Sequence, residues 1–143
     1  HLIPLILQTV QGIRDHITIF GTDYPTEDGT CIRDYIHVVD LADAHCRVLQ
    51  YLAEGGQPQA FNLGSQHGFS VRDMIGAAKA VTGRDFDVEE GPRRAGDPAA
   101  LVASSEKIRR LTGWQPQYSQ IETIIADAWK WHSGHPNGYD DKA

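Results

Sequence analysis

Three arginines carry the chemistry most easily read from this sequence. Arg33 follows Cys31-Ile32, and Arg93 and Arg94 sit together in Gly91-Pro92-Arg93-Arg94-Ala95-Gly96-Asp97. A guanidinium keeps its charge at any working pH and can grip phosphate oxygens with two parallel N–H bonds. Asp97 adds a carboxylate that could accept hydrogen bonds from sugar hydroxyls. Arginines gathered in loops of an acidic chain suit a small anionic ligand. On residue chemistry alone, Arg93 and Arg94 are more often solvated loop charges. His37 lies in a strand-like run, Tyr35-Ile36-His37-Val38, and reads as a hydrogen-bonded structural histidine. Asp34 stays open between roles, and Asp40 reads as a helix cap. His132 and His135 have no Cys or acidic pair beside them to complete a metal set. Trp114, Trp129 and Trp131 read as packing residues.

Composition narrows the classes. The 143 residues carry 13 Lys plus Arg against 19 Asp plus Glu, a formal net charge of -6. Broad nucleic-acid binding needs the opposite balance. At 41% hydrophobic and 22% charged residues the chain is ordinary for a globular domain. No apolar run approaches the roughly 18 residues that span a bilayer, and no membrane association is expected. Cys31 and Cys46 are too few for a disulfide framework, so a reducing, cytoplasmic setting is expected. The chain opens at His1 and its only methionine is Met74, which suggests a piece of a longer protein. There is no G-x-G-x-x-G or G-x-x-G-x-x-G loop for a pyrophosphate, and no Tyr-x-x-x-Lys pair. Tyr139 and Lys142 are only three apart. No Ser, His and Asp set has a nucleophile context.

The elements that must hold these residues follow from periodicity. Pro4 fits the first turn of a helix carrying Leu5, Ile6, Leu7 and Val10, which Gly12 can stop. Ile17 to Phe20 reads as a strand, Thr22 to Gly29 as a loop and Cys31 to Val39 as a strand. With Asp40 as N-cap, Leu41, Ala44, His45, Val48, Leu49 and Leu52 form one helical face ending at Gly55-Gly56. Ala60 to Leu63 is a short strand candidate. Ser70 and Asp73 make a capping box for a helix closed by Gly83. Phe86 to Glu89 reads as a strand and Gly91 to Pro98 as a loop. Ser104 or Ser105 caps a helix through Leu111, and Ser119 with Glu122 suggests a second capping box before a last helix. The tail after Gly134 is polar and expected to fray. Short strands alternating with helices give α/β or α+β, with too few strands for a complete doubly wound nucleotide domain.

Two motifs then stand out together: Asp23-Tyr24-Pro25-Thr26-Glu27-Asp28-Gly29-Thr30 and Arg33-Asp34-Tyr35-Ile36-His37-Val38-Val39-Asp40-Leu41-Ala42. With Phe61-Asn62-Leu63-Gly64, Pro92-Arg93-Arg94-Ala95-Gly96-Asp97 and Trp129-Lys130-Trp131-His132, they resemble the UDP-glucose 4-epimerase family of extended short-chain dehydrogenase/reductases. The Arg33 motif is common across that superfamily, and the Asp23 motif is more specific to the epimerases. The resemblance covers nearly the whole chain but only the C-terminal part of the enzyme. It implies a substrate-binding domain from residues 1–38 and 65–143. Residues 39–64 would be a helix and strand returning to complete a Rossmann domain whose N-terminal bulk lies outside the chain.

The resemblance also implies roles. Thr18, Ile19 and Phe20 would line a uracil, through the backbone and the Phe20 ring. Arg33 and Arg94 would hold the UDP phosphates, and Asp97 the ribose hydroxyls. Leu101 stands where the family lines its sugar pocket, and its small, ringless side chain would leave room for UDP-N-acetylhexosamines beside UDP-glucose and UDP-galactose. Ser104 departs from a more usual acidic residue and reads as a cap. The family works through bound NAD, with the Tyr-x-x-x-Lys base and the glycine-rich loop upstream of the region matched here. No catalytic or cofactor-binding residue is therefore expected in this chain, and no turnover from it alone. The usual homodimer helices also lie upstream. The returning strand would expose an edge and an apolar face, favouring self-association or binding to the rest of the enzyme. Competing readings are another nucleotide-sugar epimerase or dehydratase, a non-catalytic nucleotide-sugar binding module, and an α/β domain used only for contacts.

Overall fold

The computed structural model describes residues 1–136, 138 and 139. The end of the expected frayed tail, Asn137 and residues 140–143 with Lys142, lies outside them. In chain order the elements are α1 (Leu2–Val10), β1 (His16–Phe20), β2 (Ile32–Arg33), α2 (Val38–Ala53), β3 (Phe69–Ser70), α3 (Val71–Thr82), β4 (Asp87–Gly91), β5 (Ala100–Leu101), α4 (Glu106–Thr112) and α5 (Ile121–Gly134). They make an α/β fold with two small sheets. β1 pairs in parallel with β4, His16 opposite Asp87 through Phe20 opposite Gly91. β2 is the centre of the second sheet, antiparallel to β3 and parallel to β5, with Arg33 opposite Phe69 and Leu101.

The first core fills the space between β1 and three helices. Ile6 and Val10 of α1, Ile17 and Ile19 of β1, Met74 and Ala78 of α3, and Ile121 and Ile125 of α5 are buried in it. Each fully buried aliphatic side chain stabilises by about 1.5–3 kcal/mol. α3 is built as its ends require. Ser70 Oγ accepts from Asp73 N–H and Asp73 Oδ2 accepts from Ser70 N–H, both at 2.9 Å. Gly83 then closes it at φ 64, where a side chain would be strained. The second core is smaller: Ala44 of α2, Ile108 of α4 and Trp114, flanked by Val48, Phe61 and Leu63.

Several expectations need correction. The strand expected over 31–39 shortens to Ile32–Arg33, because α2 begins at Val38 with His37 as N-cap. His37 Nδ1 accepts from Val39 N–H at 3.1 Å. Asp40 sits inside the first turn, 3% exposed. Its carboxylate accepts from Gln117 N–H and Tyr118 N–H, each at 2.9 Å. It caps a loop that returns from far along the chain rather than its own helix. Ala60 to Leu63 forms no strand, so no strand edge is exposed there; Phe61 and Leu63 pack sideways on the second core instead. The Ser119–Glu122 box does not form, since Gln120 occupies the N-cap of α5 without a side-chain bond. At α4 the N-cap is Ser105, but Ser104 Oγ takes the Glu106 N–H at 3.3 Å. The strand expected at 86–89 runs from Asp87 to Gly91.

Candidate functional site

A cleft of about 280 Å³ opens between β1, β2 and the loop after β4. Strand alternation explains what β1 contributes. Ile17 and Ile19 are buried in the core at 3% and 2% exposure. Thr18 and Phe20 point away from that core and both line the cleft, whose wall Ile17 also reaches. Arg33 enters from β2, and Arg94 and Asp97 from the loop. Five of the seven residues singled out from the sequence thus meet in one cavity. Two do not. The Ile19 side chain belongs to the core, and Leu101, 62% exposed, lies in register with Arg33 on β5 but outside the cleft wall.

The arginines are held differently. Arg33 Nη1 donates to the Ile32 and Pro98 carbonyls at 2.7 and 2.9 Å, and Nη2 meets Asp97 Oδ1 at 3.1 Å. This ties β2 to the loop. Arg94 lays its guanidinium carbon 3.8 Å from the Phe20 ring centroid. Among the described residues Arg94 has no ion-pair partner. Its charge is ordered by an aromatic face yet free for an anion. Arg93 points elsewhere: Nε meets Asp23 Oδ1 at 2.6 Å, and the group stacks over Tyr24. The Arg93 hydrogen bond holds the Asp23 carboxyl below its ordinary value.

Cys31 and Tyr35, not among the residues expected at the site, also line the cleft with Arg33. They stand two residues either side of it, the spacing of one face of an extended chain. That period was the available signal. Burial pushes the Tyr35 phenol up to about 12 against the opposing charge of Arg33, so it stays protonated as a neutral donor. Asp34, left open above, proves structural. Its Oδ1 accepts from Ser65 N–H and Oγ at 3.0 and 2.6 Å, and Oδ2 accepts from Ala103 N–H at 3.1 Å. His37, 5% exposed, meets Asp127 Oδ2 at 3.2 Å through Nε2 and packs against Tyr118. His135 stacks on Trp131 with centroids 3.7 Å apart. Among the described residues no group of three His, Cys, Asp or Glu could hold a metal. None of their helices is long and apolar enough to cross a membrane.

A family model described as "NAD dependent epimerase/dehydratase family" matches residues 1–64. A UDP-glucose 4-epimerase of Lacticaseibacillus casei is 54% identical over 99% of this chain and 43% of its own length. A crystal structure of a UDP-glucose 4-epimerase superposes with TM-score 0.96 at 52% identity, again over 99% of this chain and 43% of that one. Residues 1–64 carry the match to the NAD dependent epimerase/dehydratase family, and along nearly its whole length the chain is similar to UDP-glucose 4-epimerases. The UDP-Glc/GlcNAc 4-epimerase of Campylobacter jejuni matches at 50% identity and TM-score 0.87, over 93% of this chain and 40% of that one. The chain thus spans under half the length of these relatives.

Proposed function

We propose that this chain is the UDP-sugar-binding part of an NAD-dependent UDP-glucose 4-epimerase, which interconverts UDP-galactose and UDP-glucose. One observation carries the reading: Thr18, Phe20, Arg33, Arg94 and Asp97 converge on a single cleft whose Arg94 has no ion-pair partner among the described residues. β1 and the Phe20 ring would bound the uracil. Arg33 and Arg94 would neutralise the diphosphate, and Asp97 would orient the ribose. Tyr35, neutral at working pH, can donate a hydrogen bond to a phosphate or sugar oxygen.

The residues of this chain do not fit NAD, since it has neither a glycine-rich pyrophosphate loop nor a Tyr-x-x-x-Lys pair. The cofactor and the catalytic base are assigned to the remainder of the longer protein, as is the homodimer contact. This chain binds and orients the substrate, and no chemical step passes through it. The proposed division is residues 1–38 and 65–143 for substrate and 39–64 returning to the nucleotide domain. The second core draws Ile108 and Trp114 from outside that span. Two free cysteines support a cytoplasmic setting. Acceptance of UDP-N-acetylhexosamines is supported by the C. jejuni relative, itself titled a UDP-Glc/GlcNAc enzyme, and not by the cleft wall, which Leu101 does not join.

The test is calorimetric titration of UDP into the full-length enzyme containing this chain. Arg94→Ala weakens UDP by about tenfold or more, the scale of a charge-assisted hydrogen bond. Unchanged affinity removes the reading. The purified 143-residue chain shows no epimerase turnover, and measurable turnover from it overturns the division of labour.

A further inference from the structure

The motif from Asp23 to Thr30 marked the epimerases in sequence, yet none of its side chains lines the cleft. What it does is visible in its bonds. The loop closes on itself: Tyr24 N–H donates to the Gly29 carbonyl at 2.9 Å, and Thr26 Oγ1 to the Thr30 carbonyl at 2.8 Å. Asp28 Oδ1 accepts from Thr30 N–H and Oγ1 at 2.8 and 2.7 Å, and Oδ2 from Ser70 Oγ. A segment cross-braced in this way is a stiff support. What it supports is Arg93. Asp23 takes the guanidinium through Oδ1 and through its own carbonyl, and the Tyr24 ring lies 4.2 Å beneath. Tyr24 is only 6% exposed, so its ring does not move easily.

Gly21 shows how tight the arrangement is. A Cβ there would stand 2.6 Å from both Arg93 Cγ and Tyr24 Cε2, at a backbone φ of +87. The next residue after Arg93 is Arg94, whose guanidinium rests on Phe20, the residue before Gly21. Two adjacent arginines thus stack on two rings four residues apart. One is fully engaged and the other is open.

We infer that the Asp23–Tyr24–Arg93 clamp is a positioning device that aims Arg94 at the ligand's phosphate. Arg93 itself binds no phosphate. Holding Arg93 fixes the backbone at 93–94, and Arg94 then has only its own side chain to order when an anion arrives. Ordering a charged group in advance lowers the cost of binding. The inference rests on the proposed UDP site.

Its test is a double-mutant cycle in the full-length enzyme containing this chain, read as UDP dissociation constants by calorimetry. Asp23→Asn keeps the shape and removes the clamping charge. It is expected to weaken UDP about fivefold, with the KM for UDP-galactose rising and kcat held. In an Arg94→Ala background the same change is expected to alter affinity by less than about twofold, because its target is gone. Arg93→Lys keeps the charge but loses the planar fork and the stack, so it weakens UDP as Asp23→Asn does. Thermal midpoints identify any variant that fails to fold, and Gly21→Ala disturbs the clamp with no charge altered. If Asp23→Asn leaves UDP affinity unchanged or tightens it, or if its effect persists undiminished without Arg94, the clamp is overturned. If Arg94→Ala alone has no effect, the UDP reading fails instead.

Discussion

α2 and α3 are helices of similar amphipathic pattern with different fates. On α3 the apolar face is covered: Met74 and Ala78 are 0% exposed between α1, β1 and α5. On α2 the face read from the sequence is mostly open. Ala44 is buried, while Leu49 is 66% and Leu41 40% exposed. Beside it Ala44, Val48, Leu49, Phe61, Leu63 and Ile108 line an apolar groove. An amphipathic pattern announces that a face wants a cover but not which part of the protein supplies it. The apolar face of α3 is therefore covered within this chain, and much of the α2 face is not.

Trp114→Ala should break this contrast most sharply. Trp114 is 0% exposed and donates through Nε1 to the Asp40 carbonyl at 3.0 Å. Its removal is expected to cost about 3–5 kcal/mol in urea unfolding and to loosen α2 and α4 first in hydrogen exchange. A uniform loss of protection over α3 as well would show one cooperative unit. Asp40→Ala comes next. It removes the buried carboxylate that accepts from the Gln117 and Tyr118 N–H groups and should cost about 1–3 kcal/mol, again read by urea. Uniform protection of α2 in that variant would contradict the role given to Asp40.

A pH effect belongs to the cleft region. Burial alone would raise Asp28, but hydrogen bonds from Ser70 and from the Thr30 backbone and hydroxyl outweigh it and leave the carboxyl below its ordinary value. The folded state therefore prefers the ionised form. That stability is fully present above the ordinary carboxylate range, about pH 4, and is lost as pH falls through the lower folded value. Asp28→Asn should flatten the acid limb of the stability curve, and an unchanged limb would remove Asp28 from the account. The smallest effect is expected at Leu49→Ser. On so exposed a side chain it should change the stability of the 143-residue chain by no more than about 0.5 kcal/mol. A larger loss would mean that the α2 face is already covered.

Legibility in the sequence followed how local each cause was. α3 could be read at both ends because its cap, periodicity and closing glycine lie within its own residues. Arg33 and Arg94 could be selected by chemistry and motif. Residue chemistry alone could not separate Arg93 from Arg94; only the motif singled out Arg94, and the Asp23 contact that engages Arg93 lies far away in sequence. Asp40 looked like a cap to its own helix because its true partners lie near residue 117. β5, two residues long, carries no periodicity to detect.

The pairing of β1 with β4 has a consequence in time. Residues 16–20 find their partners only at 87–91, and Arg33 meets Asp97 later still in the chain. Closing so long a loop is entropically slow compared with forming α1 or α3. On a translating ribosome the cleft therefore has no second wall until the loop after β4 has emerged. The cleft thus closes only after α1, α2 and α3 have been made.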